Sequence, residues 1–181
     1  MTRDELMERN LEFLSGIKDI FTEAGLNPEV DDIGNVEMPQ SIVCEFNSGL
    51  NNDQVLGQFY WLPEEGDTDV SYLVQTVTLV DDIEGDDRKI KMLQAINLLN
   101  NQVPYGMFML DPSLEMLQYR YVIPVSSDLD KAEAKILIDH EIFTGLGIVS
   151  TYAAPLITLL EETIDWDDFQ NILVEYNAPM E

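Results

Sequence analysis

His140 is the only histidine in the chain, and it stands between two carboxylates in the segment ILIDHEIF. A histidine beside Asp139 and Glu141 suggests a general base or a metal ligand, because imidazole titrates near neutral pH and binds divalent metals. Consecutive residues of a helix point about 100° apart, however, so these three side chains do not converge. The sequence favours a solvated or hydrogen-bonded structural histidine over a catalytic one.

Two clusters of carboxylates suggest a cation site. The segments DDIEGDD (81–87) and EEGDTD (64–69) offer the oxygen ligands that calcium prefers. Neither has the regular alternation of an EF-hand loop with a glutamate at its twelfth position. We therefore expect no built metal site, and a cation-binding protein or metal-dependent enzyme that uses these loops and His140 is the alternative function.

Other catalytic patterns are weak. Cys44, the only cysteine, lies in the apolar run SIVCEF, which predicts a buried thiol rather than a nucleophile. No serine stands in a nucleophile elbow, and the GLG at 145–147 lacks the third glycine and the preceding strand of a dinucleotide fingerprint. The sequence thus predicts a protein that is not an enzyme and binds no cofactor.

The charge balance narrows the choice of partners. The chain has 35 acidic residues against 9 basic ones, a formal net charge of -26. Such a protein repels phosphate backbones and anionic membranes, so we expect no nucleic-acid partner and no membrane partner. A single cysteine and an N-terminal segment without a signal peptide's hydrophobic run favour the cytoplasm.

Hydrophobic periodicity predicts one α+β domain over residues 1–181. Apolar residues at helical spacing predict helices over 4–24 and 88–101, and β-branched and aromatic runs predict strands at 41–46, 54–62 and 71–80. A hairpin over 105–125 turns at Asp111-Pro112-Ser113. The prediction is a five-stranded, mostly antiparallel sheet with helices packed on one face, in the order α-β-β-β-α-β-β-α, closed by a last turn or two over 166–174.

The hairpin is apolar on both faces. In its first strand Phe108 and Leu110 point opposite to Met107 and Met109, and in its second strand Tyr119 and Tyr121 share a face. One layer of helices cannot cover both faces of a sheet, so the other face needs a twin subunit or a foreign peptide.

A second apolar surface is predicted in the C-terminal part. Residues 142–160 carry no charge, which is near the length of a membrane span, but acidic flanks and internal glycines favour a buried or subunit-facing helix. The helical region 129–163 is one helix or two, because Pro155 and two glycines weaken it. Ile148, Tyr152 and Leu156 form a patch at near-helical spacing on this region.

The order of elements, and the pattern of apolar and polar residues over 96–125, resemble those of a known family. In the segment INLLNNQVPYGMFML a helix end with Asn97 and Asn100 leads into the first strand of the hairpin. The return strand LEMLQYRYVIPV follows and ends near Pro124. Over residues 3–163 the chain resembles the YbjN-type family, which is similar in fold to type III secretion chaperones. The resemblance implies an α+β sandwich, usually dimeric, in proteins described as regulators or binding factors.

These observations predict a non-enzymatic protein- or peptide-binding module, chaperone-like or regulatory, that acts as a homodimer. A fixed structural subunit of a larger assembly is a further alternative. The residues predicted to contact a partner come from the hairpin and from the C-terminal helix: Met107, Met109, Tyr119, Tyr121, Ile148, Tyr152 and Leu156.

The net charge predicts a salt dependence of stability. Repulsion among carboxylates opposes compaction, and salt screens charges that lie more than about 10 Å apart at ~0.1 M ionic strength. We expect the melting temperature to rise as sodium chloride goes from low to moderate concentration in a calorimetric series. A flat or falling series would show that local cations already neutralise the acids.

Overall fold

A computed structural model describes residues 3–31, 40–47, 54–62, 69–111 and 115–176. It confirms the α+β class. The elements are α1 (Arg3–Glu23), β1 (Glu29–Asp31), β2 (Ser41–Asn47), β3 (Gln54–Trp61), β4 (Val70–Val80), α2 (Asp86–Leu99), β5 (Met107–Asp111), β6 (Met116–Ser126), α3 (Lys131–Leu160) and α4 (Trp166–Tyr176).

The strands among the described residues form one antiparallel sheet in the order β1-β2-β3-β4-β6-β5. The prediction of five strands was wrong, because Glu29–Asp31 pairs with Ser41–Val43 as a sixth. The observed element order, α-β-β-β-β-α-β-β-α-α, differs from the predicted one for the same reason and because the last turns form the full helix α4. All three residues of β1 are exposed, so no apolar alternation marked it in the sequence.

The helices pack on one face of the sheet and enclose two clusters of core side chains. One cluster joins α2, α4 and the C-terminal half of α3 to β4, β5 and β6. The other joins α1 and the N-terminal half of α3 to β2, β3 and β6. Helix α3 is continuous through Pro155 and thus belongs to both clusters, which answers the question of one helix or two.

The middle of α3 lies very close to the sheet. The Gln75 side chain is fully buried, and its Nε2 donates to the Ile142 carbonyl at 3.4 Å. A Cβ at Gly145 would collide with the Gln75 carboxamide. A larger residue at position 145 would require the Gln75 carboxamide to move, so glycine here lets α3 lie close to β4.

Arg9 joins α1 to the connection between β6 and α3. The side chain is 6% exposed, and its guanidinium donates to the carbonyls of Ser127, Ser126 and Leu129 at 3.1, 3.2 and 3.3 Å. It also lies 5.3 Å from the centre of the Phe13 ring. Five fixed donors suit a guanidinium to hold several carbonyls at once, so Arg9 fixes the start of α3 relative to α1.

The outer edge of the sheet at β5 is closed by Asn100, the residue that follows α2. Its carboxamide accepts from Phe108 N and donates to Phe108 O, each at 2.8 Å. The Asn100 side chain therefore replaces a neighbouring strand at that position. Free backbone groups on an edge strand invite another strand to pair, and this contact removes two of them.

One helix, α3, is long and apolar enough by composition to span a membrane, and half of its most apolar window is buried inside the protein. The residues that make it apolar, including Ile138, Ile142 and Leu156, fill the two core clusters. Burial in the core therefore accounts for the uncharged segment 142–160.

The edge contact predicts the effect of changing Asn100. Asn100→Ala leaves the N–H and C=O of Phe108 without their partner, so we expect the free energy of unfolding to fall by about 1–3 kcal/mol in urea titrations. Asn101→Ala is the matched control, because the Asn101 side chain is exposed and bonds only within its helix, to Asn97 O. Equal losses in the two variants would contradict the role given to Asn100.

Candidate protein-binding surface

The face of the sheet opposite the helices has no described element packed against it. Side chains alternate along each strand, and the inward set, such as Phe59, Leu73 and Tyr119, fills the core. We call the outward set the uncovered face. Its members on the central and β5-side strands include Leu56, Gln58, Tyr60, Tyr72, Val74, Thr76, Thr78, Met107, Met109, Asp111, Gln118, Arg120 and Val122.

Large apolar side chains on the uncovered face are open to solvent. Leu56 is 43% exposed, Tyr72 44%, Met107 53% and Val122 38%. Val74 lies between Tyr60 and Val122 in the strand register and has no exposed surface, although no described helix covers it. Val74 is thus buried on the face opposite the described helices, with Tyr60 and Val122 beside it in the sheet.

The acidic residues of this face lie on its outer strands, such as Glu45 on β2 and Asp111 on β5. The strands β3, β4 and β6 contain no aspartate or glutamate, whereas the chain as a whole contains 35. The charge that β6 contributes is Arg120. Its Nε is shielded from solvent and has no hydrogen-bond partner in the part of the chain that the structure describes. None of the ion pairs among described residues includes Arg120.

The hairpin residues predicted to bind a partner divide between the two faces. Met107 and Met109 lie on the uncovered face, Met107 exposed and Met109 half-buried. Tyr119 is fully buried on the helix side and donates to the Tyr105 carbonyl at 2.9 Å, while Tyr121 donates to the Glu141 carboxylate. Tyr119 therefore has no surface to offer a partner.

Both inward tyrosines are held in the neutral form. Burial raises the pKa of Tyr119, and the charge of Glu141 adds to the effect. Burial also raises the pKa of Tyr121, with the hydrogen bond to Glu141 as the next cause. The Tyr119 hydroxyl thus joins β6 to the loop before β5, and the Tyr121 hydroxyl joins β6 to α3.

The predicted patch on the C-terminal helix is not a surface. Ile148 is 8% exposed and Leu156 is fully buried, because both point toward the core cluster shared with α2 and α4. Tyr152 is half-buried against Tyr176, with ring centroids 5.2 Å apart. The apolar spacing of this helix therefore comes from side chains that fill the core of the same chain. Since Ile148 and Leu156 are buried, the uncovered face remains as the candidate surface for a partner.

The residues around His140 point in different directions. His140 is exposed, Asp139 is paired with Lys135 at 2.7 Å, and Glu141 accepts from Tyr121. Among the described residues, no group of three or more His, Cys, Asp or Glu side chains is arranged to hold a metal ion. The arrangement offers no shared point at which a metal or substrate atom could bind.

The carboxylates of 81–87 line the start of α2. Ile83 in this segment is buried and donates through its backbone to Glu115 O at 3.0 Å, which fixes the loop to the sheet. Lys89 forms an ion pair with Glu115, and its pKa is raised by that hydrogen bond. Arg88 lies 3.5 Å from Glu162. Of the other cluster, residues 64–68 lie outside the described residues, as does the hairpin turn at 112–114.

Cys44 lies on the helix side of β2 and is 1% exposed, as the sequence predicted. Burial, together with the charge of Glu45, raises the pKa of the Cys44 thiol, which disfavours the nucleophilic thiolate. The thiol therefore serves as a small apolar core group.

The sequence did not predict that Leu56 on β3 and Tyr72 on β4 would be exposed on the uncovered face. Leu56 and Tyr72 lie in runs that have apolar residues at both odd and even positions, and such a run does not show which residues point away from the helices. The available signal was the absence of acidic residues from these strands in so acidic a chain.

Comparison with known proteins identifies no family. No protein-family model matches the sequence, and no curated protein is significantly similar to it. A solved structure with partial similarity is the "Crystal structure of an uncharacterized protein from Methanothermobacter thermautotrophicus", with a TM-score of 0.46 and 12% sequence identity, covering 84% of this chain and 99% of that chain. The chain is thus placed by its own architecture, an α+β fold with an open antiparallel sheet.

Proposed function

We propose that this protein is a non-enzymatic protein-binding module that acts as a homodimer and uses the uncovered face as its contact surface. The observation that carries the proposal is an open sheet face on which large apolar side chains stand in an area without acidic residues. A solvated antiparallel sheet face normally carries polar and charged side chains, whereas a buried one does not.

Energetics support contact at this face. Each large apolar side chain gains roughly 1.5–3 kcal/mol on moving from full exposure to full burial. Leu56, Tyr72, Met107 and Val122 are about half exposed, so association buries a further part of each. A closed two-fold dimer is the commonest way for a soluble protein to cover such a surface.

A protein or peptide partner that competes for the same face would give the module a regulatory or chaperone-like role. The resemblance to the YbjN-type family and to secretion chaperones leads to the same expectation, and the cytoplasm is the proposed location. The negative charge argues against nucleic acid and anionic membranes as partners. No observation among the described residues favours the alternative of a metal-dependent enzyme.

The proposal predicts that one charge on the uncovered face prevents association. We expect the wild-type protein to sediment as a dimer at micromolar concentration, and Val122→Glu to raise the dissociation constant at least about tenfold, because it buries an unpaired carboxylate. Ile136→Glu is the matched control, since Ile136 is 71% exposed on α3, on the opposite side of the molecule.

A wild-type chain that sediments as a 20.6 kDa monomer at every concentration would contradict the proposal. So would a dimer that Ile136→Glu disrupts and Val122→Glu leaves intact. Circular dichroism of both variants establishes that the monomers remain folded.

A further inference from the structure

We infer that the partner at the uncovered face is a second copy of this chain, packed about a two-fold axis that runs parallel to the strands, so that Arg120 of each copy meets the partner subunit's Glu45. This inference rests on the proposed self-association through the uncovered face. It adds the register of the two sheets and the ion pair that sets it.

Charge complementarity is the first support. Arg120 lies on the uncovered face without an ion-pair partner among the described residues, and its Nε is both shielded and unbonded. Glu45 lies on the same face of the sheet, on β2, and its backbone pairs with Leu56. Within one chain the two strands β3 and β4 separate these residues, so they do not form a pair.

The strand order places the opposite charges symmetrically. In the sheet β1-β2-β3-β4-β6-β5 the midpoint falls between β3 and β4, and β2 and β6 lie equally far from it. At about 4.8 Å between strands, each is about 7 Å from that midpoint. A two-fold axis over the midpoint, parallel to the strands and between two facing sheets, therefore places β6 of one copy over β2 of the other.

The register along the strands brings the side chains within reach. Arg120 pairs with Thr76, Thr76 with Gln58 and Gln58 with Val43, so Arg120 and Val43 stand in one row across the sheet. The axis preserves the position along the strands, so Arg120 lies over the partner subunit's Val43. Glu45 is two residues further on the same face, about 7 Å away, and facing sheets pack about 10 Å apart. An extended arginine spans this gap.

The other in-plane axis does not place Arg120 over an acidic strand of the partner. A two-fold axis perpendicular to the strands would place β6 over the partner subunit's β6, which contains no acidic residue. Two copies of Arg120 would then share one region of the interface, and like charges in contact oppose association. Charge complementarity thus favours the axis parallel to the strands, which places the Glu45-bearing strand β2 of the partner over β6.

Exchanging the two charges tests this register. Arg120→Glu alone sets Glu against Glu in a homodimer, and Glu45→Arg alone sets Arg against Arg. We expect each variant alone to raise the dissociation constant about a hundredfold, since two pairs are lost in each dimer. An equimolar mixture of the two variants forms a heterodimer in which both contacts are again Arg to Glu, so the mixture should regain wild-type affinity in sedimentation and in native mass spectrometry.

Recovery of dimer in the mixture, with neither variant dimeric alone, supports the inference. Two variants that each dimerise as the wild type does, or a mixture that stays monomeric, overturn it. If the wild type dimerises and Val122→Glu prevents this, but the charge exchange fails, the register is wrong while the proposed surface stands. A wild type that is monomeric throughout removes both. Thermal melts of each variant show that the monomers are folded.

Discussion

The close approach of α3 to the sheet at Gly145 and Gln75 is the constraint on which the architecture depends. Gly145 leaves room for the buried Gln75 carboxamide, and α3 lies directly on β4, one of the two central strands. From that point its two halves extend into the two core clusters. Helices α1, α2 and α4 then pack beside α3 on the same side, and no described helix remains for the opposite side of the sheet.

The same arrangement limits how the sheet can associate. At one edge Asn100 occupies the backbone groups of Phe108. At the other edge β1 is three residues long and includes Glu29 and Asp31. Short, charged or blocked edges discourage pairing of strands between molecules. The face between these edges, whose central strands β3, β4 and β6 carry no acidic residue, remains as the route to association.

The net negative charge of the chain opposes association, but the acidic residues are absent from the strands at the middle of the proposed contact. Two copies at a net charge of -26 repel each other, but ions screen this repulsion beyond about 10 Å at ~0.1 M salt. Along β3, β4 and β6 no carboxylate would be brought into direct contact. Acidic residues around such a surface can also disfavour unrelated acidic proteins, so they contribute to specificity.

Much of the fold was predictable, because long elements carry strong periodic signals. The 21-residue α1 follows from apolar spacing, and the pairing of β5 with β6 follows from two strand-like runs around the turn residues Asp111-Pro112-Ser113. Strand β1 was not predictable, since backbone pairing forms it and its side chains bury nothing. For the candidate site, alternation separated Met107 from the inward Phe108, but it did not show which face is open. It did not reveal that Ile148 and Leu156 face α2 and α4, because an apolar helix stripe looks the same whether it meets its own chain or another.

Methionine methyl groups offer the most direct test that the uncovered face is buried in an assembly. Met107 is 53% exposed on this face, and Met7 is 50% exposed on α1 as an internal control. With a soluble paramagnetic agent, the account predicts that the Met107 methyl signal is broadened at low protein concentration and becomes protected as concentration rises, while the Met7 signal stays broadened throughout. Equal broadening of Met107 at every concentration would contradict the account.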